Sequence, residues 1–93
     1  MIKFQNIEAE KAVLGTLISE PNSFEQIEEI LTDKMFYNPN HQSIFIGLAT
    51  LWNSGDYIDL ITLCRQLTKS NDIERIGQIY VTELMLNVAD SKH

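Results

Sequence analysis

The chain is poor in the residues that most often carry chemistry. It holds one cysteine and two histidines, one of them the C-terminal residue, so no metal-ligand spacing is present. A single cysteine excludes an intramolecular disulfide and fits a reducing compartment. The four glycines, Gly15, Gly47, Gly55 and Gly77, form neither the phosphate loop G-x-x-x-x-G-K-S/T nor G-x-G-x-x-G, which excludes those routes to a nucleotide. No apolar run approaches the ~18 residues that cross a bilayer. The opening Met1-Ile2-Lys3-Phe4-Gln5-Asn6-Ile7-Glu8 lacks the apolar centre of a signal peptide. The expectation is a cytoplasmic protein with no membrane contact.

Positive charge is also scarce. Seven Lys and Arg stand against 13 acidic residues, a net charge of −6. The seven are scattered as Lys3, Lys11, Lys34, Arg65, Lys69, Arg75 and Lys92, whereas a phosphate backbone is gripped by clustered cations. Residues 1–31 carry two lysines against six glutamates. Such a surface repels nucleic acid, and the expected partners are proteins.

What the chain does have is apolar spacing of helical period. With 93 residues, 44% apolar and 22% charged, it is one ordinary globular domain, spanning residues 1–93. Ile7, Val13, Leu14, Leu17 and Ile18 mark a first helix, with Asn6 as N-cap and Glu8 and Glu10 at the positive end of its dipole. Gly15 within it suggests a close helix–helix approach. After Ser19-Glu20-Pro21-Asn22, a second helix opens at Asn22 or Ser23, with Glu25 or Gln26 as capping-box partner. Its predicted inner stripe is Phe24, Ile27, Ile30 and Leu31, and its wet face Glu25, Glu28 and Glu29.

One short turn is predicted over residues 32–37, capped by Thr32. The next helix has the best-formed start, Asn38 as N-cap and Pro39 at the first helical position. Its stripe runs Ile44, Phe45, Leu48, Leu51 and Trp52 until Gly55 stops it. Asp59 caps a fourth helix with Leu60, Leu63, Cys64 and Leu67 inward, and Thr62 is placed to return a bond to the cap. A last helix is read from about Ile76 through Ile79, Tyr80, Leu84 and Leu86. The fold class is all-α, a compact orthogonal bundle of about five helices plus one short helical turn.

No catalytic, cofactor-binding or metal-binding residue emerges. His41 shares the inward face with Ile44 and Phe45 and reads as a hydrogen-bonded boundary residue. A Cys64–His41–acid arrangement is conceivable, but a thiol in an apolar stripe is inert. Phe24, Phe45 and Trp52 read as core. Phe36, Tyr37 and Tyr57 fall at turns and are the candidate interface residues, since exposed aromatic rings anchor partners.

Three ordered stretches together resemble a known family. They are Asn6-Ile7-Glu8-Ala9-Glu10-Lys11-Ala12-Val13-Leu14-Gly15; Phe36-Tyr37 followed by His41, Ile44-Phe45 and Leu51; and Gly55 followed by Ile58-Asp59-Leu60-Ile61-Thr62-Leu63. Over Ile7 to Val88 the chain is similar to the N-terminal domain of the bacterial replicative DNA helicase, the DnaB family. Gly15, His41, Phe45, Gly55, Asp59 and Thr62 are the family positions carried over. Two positions depart from the family pattern, Gly77-Gln78 where a Gly-Gly pair is usual and Tyr57 where proline is common, which suggests a divergent member from a phage or mobile element.

The resemblance implies a globular head without the helical hairpin, linker and ATPase motor that follow it in the family. It implies no enzyme activity and no cofactor in this chain, ATP and Mg belonging to the motor of a parent ATP-dependent DNA helicase. It further implies a protein-interaction and oligomerisation role in DNA replication: a collar on the hexamer, contacts with other copies, and recruitment of primase and the helicase loader. The alternative is a stand-alone phage or mobile-element adaptor that binds a host helicase or primase.

Overall fold

Several helix boundaries can be traced to a local hydrogen-bonding device. The computed structural model describes residues 3–4 and 6–91, and among them there are six α-helices, two single 3₁₀ turns and no strand. Helix α1 is Ile7–Ser19. The Ala9 N–H donates to the Asn6 side chain at 2.8 Å, as the cap reading requires. Pro21 opens the first 3₁₀ turn, Pro21–Ser23, which runs directly into α2, Phe24–Ile27.

The second helix is therefore much shorter than the sequence suggests. Ser23 has helical angles (φ −59°, ψ −22°), and no side-chain cap bond forms at this N-terminus; an N-cap needs an extended backbone to reach back. At the other end Glu25 precedes Glu28 by three residues and Glu29 by four, and like charges at that spacing oppose a helix. The chain closes on itself through Ile30 N–H and Leu31 N–H, both donating to the Ile27 carbonyl. Leu31 is buried but Ile30 is 70% exposed, contrary to its predicted place in the stripe.

The second 3₁₀ turn, Asp33–Met35, has no side-chain bond from Thr32, whose backbone carbonyl alone accepts from Met35. Helix α3, Pro39–Asn53, begins as predicted, with the Asn38 side chain accepting from the N–H of Asn40 and of His41. It ends in a Schellman closure: Asp56 N–H donates to the Leu51 carbonyl and Gly55 N–H to that of Trp52. Gly55 takes φ +72° there, a conformation that side chains disfavour.

Helix α4, Leu60–Lys69, carries a reciprocal capping box. Thr62 N–H donates to Asp59 at 2.8 Å and Asp59 N–H donates to the Thr62 hydroxyl at 2.9 Å. It closes by a second Schellman pattern with Asn71 (φ 65°) in the glycine position. A separate turn of helix, α5 (Ile73–Ile76), follows, and Gly77 at φ +90° divides it from α6, Gln78–Ser91. The predicted final helix is thus two elements, because the backbone at Gly77 leaves the helical region.

Helix α1 lies along α6 and also meets α3, and α3 packs on α4. The radius of gyration is 12.1 Å, the value of about 12 Å expected for a folded chain of this length. Leu14, Leu17, Ile44, Leu48, Leu63, Leu67, Val81 and Leu84 are fully or almost fully enclosed. Beside them runs an aromatic row, with Trp52 stacked on Phe24 at 5.4 Å, then Phe45, Phe36 and Phe4. Gly15 is buried on α1. The close approach between α3 and α4 is at Gly47, where an added Cβ would lie 3.3 Å from Leu67 and 3.4 Å from Leu63.

Candidate functional site

Two places concentrate polar or exposed side chains, one at each end of α3. At its start is a sealed polar cluster. The Glu10 side chain is 1% exposed and that of His41 0%, so burial must be offset by hydrogen bonding. Glu10 accepts from the N–H of Tyr37 at 2.8 Å, from that of Asn38 at 3.3 Å, and from His41 Nδ1 at 2.8 Å. His41 Nε2 faces the Tyr80 hydroxyl on α6, and the imidazole stacks with the tyrosine ring.

An ionised carboxylate only accepts, so the hydrogen of the Glu10 contact lies on His41 Nδ1. Burial alone would raise the Glu10 pKa, but the Tyr37 N–H, the His41 ring and the Asn38 N–H together outweigh it and hold the carboxyl below its ordinary value. Burial, then the charges of Glu10, Glu8 and Glu83, push the Tyr80 phenol up, so it stays protonated.

The sequence places Glu10 at the positive end of the helix dipole and His41 as a hydrogen-bonded boundary residue on the inward face of its helix. Both are interior, because Glu10 lies on the inner face of α1 with Leu14 and Leu17. The cluster ties α1, the entry to α3, and α6 together. Cys64 does not join it: both nitrogens of His41 are engaged elsewhere, and burial pushes the half-buried Cys64 thiol up, away from nucleophilic reactivity.

The second place is the α3–α4 loop and the surface beside it. Of the three candidate interface residues, Tyr57 is 77% exposed and Tyr37 63%, whereas Phe36 is fully buried. Phe36 is a core residue, held between Phe4 and Phe45, because the backbone is extended there (φ −93°, ψ 134°) and sends consecutive side chains to opposite sides. Tyr37 instead carries the Lys3 ammonium over its ring at 4.5 Å. The two tyrosines flank the 15 residues of α3, which separates them by roughly 20 Å along the axis. They are separate contact points.

Tyr57 overhangs a groove of about 550 Å³ floored by Ile18, Trp52, Leu60 and Met85, with Asp56 and Asp59 also lining it. Further apolar side chains face outward elsewhere: Ile61 at 68%, Ile79 at 78%, and Leu86 and Ile46 near half. The outward face of Ile61 was implicit in the sequence, since Leu60, Leu63 and Leu67 turn the other way on a 100° period. Of the apolar residues read along the last helix, Leu84 is buried as is Val81, whereas Ile79 and Leu86 face outward. Trp52, expected in the core, is only half-buried, its indole N–H donating to Glu28 at 2.8 Å. Among the described residues no group of His, Cys, Asp and Glu converges as a metal site, and no helix is long and apolar enough to cross a membrane.

A six-helix head with a sealed polar cluster and an exposed inter-helix loop defines a class by its fold, and the sequence places the chain within it. The model of the family described as DnaB-like helicase N-terminal domain matches residues 2–93, and the chain belongs to that family. It is 36% identical over 88 residues, 94% of its length, to the replicative DNA helicase DnaB of Rhodothermus marinus. It is 35% identical over 85 residues, 90% of its length, to the replicative DNA helicase DnaC of Bacillus subtilis. These alignments span 9% and 19% of the two relatives. The fold is also that of the N-terminal domain of DnaB helicase from Mycobacterium tuberculosis, with a TM-score of 0.83 and 27% identity over 89% of this chain and 58% of that one.

Proposed function

We propose that this domain is a protein-interaction and oligomerisation module of a replicative DNA helicase, acting in the cytoplasm as part of the collar that organises the hexamer and helps recruit primase and the loader. The observation that carries this reading is the match of residues 2–93 to the helicase N-terminal domain, in a chain that spans less than a fifth of its curated relatives. The surface agrees with it in two ways. Acidic charge disfavours nucleic acid, and several large apolar side chains stand exposed, as they do on surfaces that meet proteins. Tyr37 and Tyr57 are the aromatic anchors of this surface, and unwinding driven by ATP and Mg belongs to the motor of the parent helicase.

Sedimentation velocity over a concentration series, with and without a primase helicase-binding domain, tests the proposal. Self-association that grows with concentration, a complex with the primase domain, and ATP turnover no greater than a buffer blank are expected. A chain that stays monomeric and ignores primase, or one that turns over ATP, contradicts it.

A further inference from the structure

The groove beneath Tyr57 has a charge pattern that selects its occupant. Its floor is apolar, and Asp56 and Asp59 are the charged side chains in its lining, with no Lys, Arg or His among them. The Glu28 carboxylate, which accepts from the Trp52 indole N–H, belongs to a separate depression that shares only Trp52 with this groove. Both walls are rigid: Gly55 and Asp56 are locked by the Schellman closure of α3, and Asp59 by the capping box of α4. Tyr57 lies between these two fixed points and is the most exposed aromatic ring among the described residues. A separate depression shares Asp56 and Tyr57 with this groove and is lined beyond them by Arg65 and Lys69.

We infer that this groove receives a cationic amphipathic segment of a partner protein, its apolar side chain seated on Trp52, Leu60 and Met85 and its Lys or Arg facing Asp56 and Asp59. A rigid apolar trough with charge on its rim is the arrangement that binds an amphipathic helix lying along it. Charge complementarity at the rim sets which partner is accepted. This assignment rests on the reading that the head meets proteins, and adds to it the place and chemistry of one contact.

The test uses Trp52, the single tryptophan, as reporter. Tryptophan-free peptides of about 18 residues are titrated into the 93-residue chain, with leucine on one helical face and either lysine or glutamate on the other. The Lys/Leu peptide is expected to shift Trp52 emission saturably and to bind about tenfold more tightly than the Glu/Leu peptide. Asp56→Lys and Tyr57→Ala each weaken it about fivefold or more, Ile79→Ala on α6 leaves it unchanged, and circular dichroism confirms the fold of each variant. Equal binding of the two peptides, an unmoved Trp52 spectrum, or indifference to both loop substitutions overturns the assignment. Sedimentation of the same variants separates the two readings: self-association without peptide binding removes the groove assignment alone, and loss of both removes the interaction module as well.

Discussion

The two ends of α3 are fixed by opposite means. At the N-terminal end the fixing groups are side chains, drawn from residues 10, 41 and 80, each buried or half-buried and engaged on every polar atom that the structure describes. At the C-terminal end the fixing groups are backbone amides and a local Asp–Thr box, so the side chains of Asp56 and Tyr57 are not consumed in holding the turn. The difference teaches where sequence change is affordable. Long-range side-chain bonding makes the first end a structural latch, and local backbone bonding leaves the second end available for contacts.

The largest expected effect falls on the latch. His41→Ala leaves the buried Glu10 carboxylate without its side-chain hydrogen-bond partner and opens a cavity, a loss of about 3–5 kcal/mol in urea unfolding. Next is the helix crossing, where Gly47→Val drives a branched side chain into Leu63 and Leu67 and costs about 1–3 kcal/mol. Tyr80→Phe removes the hydroxyl that meets His41 Nε2 and costs about 1–2 kcal/mol.

The latch also predicts an acid response. The folded Glu10 pKa lies below its ordinary value, so its stabilisation is complete above about 4.3, the unfolded value, and is lost as pH falls through the lowered folded value. The stability gap between the parent chain and Glu10→Gln therefore narrows over that acidic window, as read from urea midpoints at successive pH. At the other end, Tyr57→Ala changes stability by less than about 0.5 kcal/mol, the usual range for an exposed position.

What the sequence revealed follows the same division. Asn6, Asn38 with Pro39, Gly55, and Asp59 with Thr62 were all legible, because each device acts within about five residues of the chain. The apolar stripes of α1, α3 and α4 were legible for the same reason, being periodic. The Glu10–His41–Tyr80 cluster was not, since its members stand 31 and 39 residues apart and nothing local marks them as partners. Phe36 and Tyr37 are adjacent and look alike in sequence, and only the packing of Phe4 and Phe45 around one of them tells core from surface. Gly47 was not singled out, because which helical glycine meets α4 depends on where α4 lies. The groove is likewise assembled from α1, α3, α4 and α6 and has no signature in any one segment.

The most direct test is a pair of urea unfolding curves followed by circular dichroism, one for His41→Ala and one for Tyr57→Ala. If the two ends of α3 divide holding from presenting, His41→Ala lowers the midpoint steeply and Tyr57→Ala leaves that of the parent chain in place. A Tyr57→Ala midpoint lowered as far as that of His41→Ala contradicts the division.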